Sequence, residues 1–146
     1  DLKVAIVDVD LALKNSPQVN SMQQALKKKY TPKQNKILAQ RKQLTQEVNA
    51  LRRDESVLKA SDVAKKKQKI EALAKNLQQM ESKYQQEIFA EKSQKLEQLQ
   101  RAFQAAVRRV ANKQSIDMVV NKPSVIYSQH VRDISQDVAS ALKKAA

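Results

Sequence analysis

Between Lys3 and Val9 the chain reads Lys-Val-Ala-Ile-Val-Asp-Val, apolar on both alternating faces for most of its length. That pattern predicts a strand covered on both sides. Ile116 to Asn121 reads the same way, and Lys122-Pro123-Ser124 follows as a turn signal. Val125-Ile126-Tyr127 then offers a further short strand, so the pattern predicts a β-hairpin. Beyond it, Asp133 is placed to cap a last helix whose Ile134, Val138 and Leu142 recur at four-residue steps on one face.

The middle of the chain follows a different rhythm. From Gln18 to Lys113 strand signals nearly vanish and Gln, Lys, Glu, Ala and Leu dominate, all strong helix formers. Ser16-Pro17 and Thr31-Pro32 each place a capping residue before a proline at a first helical position. One helix is therefore predicted to start near 17 and to be kinked or restarted near 32. Apolar residues recur through Ile37, Leu44, Val48, Leu51 and Leu58, with Arg41 and Glu55 at two intervening stripe positions. A second series runs through Ile70, Leu73, Leu77, Met80, Tyr84 and Ile88, then resumes out of phase at Leu96, Leu99, Phe103, Val107 and Val110. Two such stripes predict two antiparallel helices zipped together.

The reversal falls between the two series, near residues 59–62, with Ser61 or Asp62 able to cap the returning helix. Neither proline nor glycine marks this tip, so one continuous helix is the alternative. A continuous rod would hold the terminal strands about 140 Å apart, whereas a hairpin with arms of roughly 65 Å lets them meet in one sheet. The predicted fold class is α+β: residues 1–17 and 114–146 form a small β-sheet body, and residues 18–113 form a long helical hairpin.

Charge sharpens this division. Residues 18–113 hold 22 basic and 9 acidic side chains, a net +13, while the remainder holds 6 of each and is neutral. Lys27-Lys28-Lys29 and Lys65-Lys66-Lys67 are the densest runs. An acidic or phosphate-bearing partner follows from this charge. Taken singly, each run also fits a solvated helix face.

A body of about 50 residues buries too little surface to be stable alone, and self-association is the usual remedy. Val4, Ile6, Val7, Ile116, Met118, Val119, Val120 and Ile126 are the candidate interface residues. The bland counterpart is a monomer whose sheet is covered by the base of the hairpin.

Composition excludes several chemistries. With neither cysteine nor glycine in the chain, thiolate catalysis, thiolate metal sites and glycine-rich phosphate loops are ruled out. The single His130 builds no histidine-rich metal site. Asp8, Asp10 and Asp117 are the carboxylates nearest the strands, and they read as strand-end and cap residues. No cofactor, metal or catalytic residue is predicted. No apolar run reaches the roughly 20 residues of a membrane span, and Asp1 leads straight into the first strand without a signal peptide.

These segments resemble the Skp (OmpH-like) family of periplasmic chaperones for outer-membrane proteins. The likeness spans the chain and is most specific at Lys3–Val7, at Val110–Val120 and at Val131–Val138. It implies a homotrimer whose strands join in a barrel-like central body, with three helical hairpins around a cavity. It also implies an ATP-independent holdase for unfolded outer-membrane β-barrel proteins, located in the periplasm and reached by a signal peptide that this chain does not carry. Three arms would together bear roughly +39 and attract acidic chains over a Debye length of about 8 Å. Tyr30, Met80, Tyr84 and Phe89 are the candidate apolar client contacts, beside the two lysine runs; packing within the hairpin is the competing role for each of the four and the favoured one for Met80 and Tyr84. Anionic lipid or lipopolysaccharide is a further implied partner. However, the resemblance places Ala90 and Glu91 where the better-known relative has paired arginines, leaving Lys83, Lys92 and Lys95 as local cations.

Two other classes compete. A basic coiled coil binds nucleic acid non-specifically, yet the chain has no helix-turn-helix, zinc ligand set or stacking aromatic motif, so such binding is expected to be incidental. A structural spacer needs an unbroken zipper. Arg41, Glu55 and the phase shift after Ile88 suit arms that flex.

Overall fold

A computed structural model describes residues 1–146. Three strands and four helices follow in the order β1 (Val4–Val7), α1 (Val9–Leu13), α2 (Pro17–Asp54), α3 (Ala60–Lys113), β2 (Met118–Asn121), β3 (Arg132–Asp133) and α4 (Ser135–Ala145). The fold is α+β, with a small sheet and a long antiparallel helical pair.

β1 lies at the centre of the sheet, in the order β2-β1-β3, and both of its pairings are parallel. Val4 pairs with Met118 and Ile6 with Val120; on the other side Ala5 pairs with Arg132. Parallel neighbours need a long crossover, which α2 and α3 supply between β1 and β2. The predicted β-hairpin is therefore corrected. Lys122–Ser124 closes as a 3₁₀ turn, Val125 to Tyr127 forms no strand, and the third strand is the pair Arg132–Asp133. Ile126 is fully exposed. Its β-branched neighbourhood has propensity but finds no ladder to join.

The first strand also ends earlier than its pattern suggests. Asp8 caps a short helix instead, its carboxylate accepting the Leu11 N–H at 3.2 Å. Ala12 of that helix is buried with Ala5, Val7, Ala106, Val110, Ile134, Val138 and Leu142 in the core. The predicted stripe Ile134, Val138 and Leu142 is wholly buried. Each such aliphatic side chain contributes about 1.5–3 kcal/mol relative to exposure. Ile134, not Asp133, is the N-cap of α4; Asp133 stands one residue earlier and accepts both the Ser135 N–H (2.9 Å) and hydroxyl (2.6 Å). These bonds hold its carboxyl below the ordinary range, with Lys122 adding to the effect.

α2 begins as its sequence predicts, with the Ser16 hydroxyl accepting the Val19 N–H at 3.2 Å and Pro17 first in the helix. It then runs unbroken through Pro32, so no second helix starts there. Proline inside a helix costs roughly 3 kcal/mol. Buried Tyr30 and Ile37 anchor α2 on either side of it and offset that cost. α2 ends at Asp54 and α3 starts at Ala60, which places the reversal at 55–59. Ser61 and Asp62 lie inside the first turn of α3 and do not cap it; the Lys59 carbonyl accepts the Asp62 and Val63 N–H groups.

Two compact units divide the chain: residues 1–26 with 93–146, and residues 27–92. The sheet-bearing unit takes in more of α3 than the strands alone imply, because Ala102, Phe103, Ala106, Val107 and Val110 pack into its core.

Candidate functional site

All the candidate client residues lie in the second unit, on the paired segments of α2 and α3. Tyr30 does not face solvent. It is 4% exposed, its ring stands edge-on to that of Tyr84 with centroids 5.9 Å apart, and its hydroxyl donates to the Glu91 carboxylate. The Glu87 carbonyl oxygen lies 3.1 Å from the same hydroxyl. The Lys29 and Lys33 ammonium groups sit 5.7 and 5.5 Å from the ring centre, close enough for a cation–π attraction. The bond to Glu91, burial, and the charges of Glu91 and Glu87 push the Tyr30 phenol up to about 12. Tyr30 thus joins the two helices, the packing role that stands beside client contact for each of these residues.

Met80 and Tyr84 are half-buried between the helices. Phe89 differs, standing 73% exposed. Leu38 and Val57 are exposed too, and periodicity gave no reason to single them out. The apolar surface of this unit is therefore scattered rather than gathered into a pocket.

Five ion pairs tie α2 and its tip to α3. Lys29–Glu91 (2.9 Å), Lys33–Glu87 (2.7 Å) and Arg41–Glu81 place the cation on α2. Glu47–Lys69 (3.1 Å) and Glu55–Lys67 (3.6 Å) place the anion on the α2 side. This polarity reverses midway, so sliding one helix along the other would oppose like charges. The Lys33 ammonium holds the Glu87 carboxyl below its ordinary range. Arg41 and Glu55, read from sequence as breaks that loosen the stripe, are both paired across the hairpin, which corrects that reading. Lys27, Lys28, Lys65 and Lys66 enter none of these pairs and supply excess positive charge.

The candidate interface residues lie in the first unit. Ala5, Val7 and Val119 turn toward the core, while parallel register places Val4, Ile6, Met118 and Val120 together on the opposite face. Met118 on that face is 49% exposed. Ile116 packs against the core from the loop before β2. Asp8 and Asp117 perform structural work, Asp8 as a cap and Asp117 by accepting the Lys3 N–H at 2.8 Å.

A family model described as "Outer membrane protein (OmpH-like)" matches residues 3–142. The chain belongs to this Skp (OmpH-like) family. It is 25% identical over 141 residues to the chaperone protein Skp of Pectobacterium atrosepticum, covering 97% of this chain and 86% of that one. The Skp of Yersinia enterocolitica is 23% identical over the same span and coverage. A crystal structure of an OmpH-like protein from Caulobacter crescentus CB15, assigned as an outer membrane chaperone, superposes with a TM-score of 0.83. At 18% identity it covers all of this chain and 86% of that one, and it shares the fold. The named relatives are chaperones, and the family member described here is not an enzyme. Within the family, this chain's Glu91 is committed internally to Tyr30 and Lys29.

Proposed function

We propose that the chain is an ATP-independent holdase of the periplasm that captures unfolded outer-membrane β-barrel proteins between basic helical arms and keeps them from aggregating. The observation that carries this reading is the surface of residues 27–92, which bears both lysines left over from the inter-helix pairs and isolated exposed apolar side chains such as Phe89. Lysine charge draws and retains an acidic unfolded chain, while scattered apolar contacts grip it weakly at many points. Such a surface suits a client with no fixed shape, since no single pocket selects one side chain.

The working form in this proposal is a homotrimer with the strands gathered in a barrel-like body. Half-covered Val4 and Val120 and exposed Met118, on the face where Ile6 is already buried, together with exposed Ile126, are the apolar surface such an assembly would cover. Sheet edges β2 and β3 would be protected in the same step. Anionic lipid or lipopolysaccharide is a lesser partner for the same lysines, and nucleic acid an incidental one.

Mass measurement in solution tests the assembly and the capture together. Light scattering on a size-exclusion column should give three chains alone, and three chains plus one client after a β-barrel protein is diluted from urea without nucleotide. A folded protein that elutes as a monomer, or that leaves the client in the void volume, would contradict the proposal.

A further inference from the structure

Within the hairpin unit the two helices turn chemically different sides to solvent. Between Asn76 and Ala90 the charged residues of α3 are Glu81, Lys83 and Glu87 alone, and all three enter ion pairs. The stretch of α2 alongside, aligned by Lys33–Glu87 and Arg41–Glu81, holds Lys36 and Lys42, both exposed and in no ion pair. In an arm of net charge +13, this part of α3 is left without a free cation.

The exposed side of the same stretch is built from amides and one ring. Gln78, Ser82, Gln85, Gln86 and Phe89 recur at steps of three and four and are all exposed, while Leu77, Met80, Tyr84 and Ile88 are buried or half-buried toward α2. The side chains of Gln78, Ser82, Gln85 and Gln86 make no hydrogen bond within the chain, whereas the Asn76 amide donates to Gln40 of α2 at 3.1 Å. Amides that face α2 are used, and those that face away are free.

The two sides differ in what can lie on them. Covering a lysine with an uncharged segment strips water from a charge and is costly. Covering a glutamine costs less, because its amide brings both a donor and an acceptor that an extended backbone matches with its own C=O and N–H. From Gln78 to Phe89 the face runs about 17 Å at 1.5 Å per residue, the length of about five residues of extended chain. We propose that this side of α3 holds an extended, uncharged segment of an unfolded polypeptide, its backbone paired with Gln78, Gln85 and Gln86 and one apolar side chain set on Phe89. The lysines of α2 attract a client from a distance; the amide face of α3 is what the client covers. The inference rests on the functional reading that unfolded polypeptides are the clients, and it assigns attraction and holding to different helices.

Inserting charge of either sign into the face tests this on the full-length protein. The probe is a fluorescently labelled outer-membrane β-barrel protein diluted from urea, with anisotropy read at high salt, where attraction by the lysines is screened. Ser82→Lys/Gln86→Lys, confirmed as folded by circular dichroism, should bind about threefold to tenfold more weakly than the parent, and Ser82→Glu/Gln86→Glu should lose a similar factor. Unchanged or tighter binding by the lysine variant, or a loss confined to the glutamate variant, would overturn the face and leave net charge as the cause. A benzophenone side chain placed at Gln85 should crosslink to the client at low and high salt, and one placed at Lys42 chiefly at low salt. A crosslink from Gln85 to a second copy of the chain without client would make this side an interface between copies and overturn the proposal. Client binding that survives both charge insertions removes this inference alone, whereas a folded protein that binds no client at either salt removes the functional reading with it.

Discussion

Tyr30 on α2 donates its hydroxyl proton to the Glu91 carboxylate on α3, and this bond closes the hairpin segment nearest the Lys27–Lys29 run. The folded phenol, at about 12, lies above its ordinary value of 10, so the folded state keeps this proton more tightly than the unfolded chain. The contribution is complete below pH 10 and is lost as pH rises toward 12. Absorbance near 295 nm should therefore show one of the three tyrosines ionising about two units late. The helical signal should weaken across the same window. Tyr30→Phe should remove that alkaline step and lower the melting temperature at pH 7.

The reversal of ion-pair polarity along the hairpin makes a second expectation. Arg41 and Glu81 are both more than a third exposed, so solvent screens them. A double-mutant cycle with Arg41→Gln and Glu81→Gln should give a coupling of roughly 0.2–1 kcal/mol that shrinks in high salt. Glu81→Lys should cost more than Glu81→Gln, and adding Arg41→Glu should recover most of the loss. Urea denaturation followed by circular dichroism measures each value.

Glycine is absent, yet Ser115 and His130 hold φ of 56° and 62°. The left-handed region costs a residue with a Cβ about 1–2 kcal/mol, part of which glycine returns as unfolded-state entropy. Ser115→Gly and His130→Gly should each stabilise the protein by several tenths to about 1 kcal/mol. An increase in urea midpoint with unchanged slope is the expected result.

Phe89 and Tyr84 separate client contact from hairpin packing. Phe89→Ser should weaken client binding by about threefold to tenfold and move stability by no more than about 0.5 kcal/mol. Tyr84→Ser should instead destabilise the hairpin, because it removes the ring packed on Tyr30. Anisotropy with a labelled, urea-diluted client reads the first effect and thermal melting the second.

Elements with a repeating pattern were legible in the sequence, and those set by a single partner were not. The buried stripe of α4, the Ser16-Pro17 start of α2 and the two-stripe hairpin all repeat or carry a cap. Arg132–Asp133 is two exposed residues with no period, and becomes a strand only because β1 lies beside it. Val125–Tyr127 shows the converse, propensity without a partner. Asp8 signalled a cap, but the apolar run around it hid the short helix it begins. At the candidate site, the type of residue was readable and its direction was not. Tyr30 and Phe89 look alike as isolated aromatics, yet only the pairing of α2 with α3 decides that one is buried and the other exposed. Arg41 and Glu55 looked like flaws for the same reason, since their partners lie 40 and 12 residues away in the chain.

The most direct test of the account is light scattering from an outer-membrane β-barrel protein diluted out of urea, with and without this protein, nucleotide-free, at low and high salt. The account predicts suppression near one trimer per client, weakening as salt rises and screens the lysines. A folded oligomer that suppresses aggregation at neither salt concentration would contradict it.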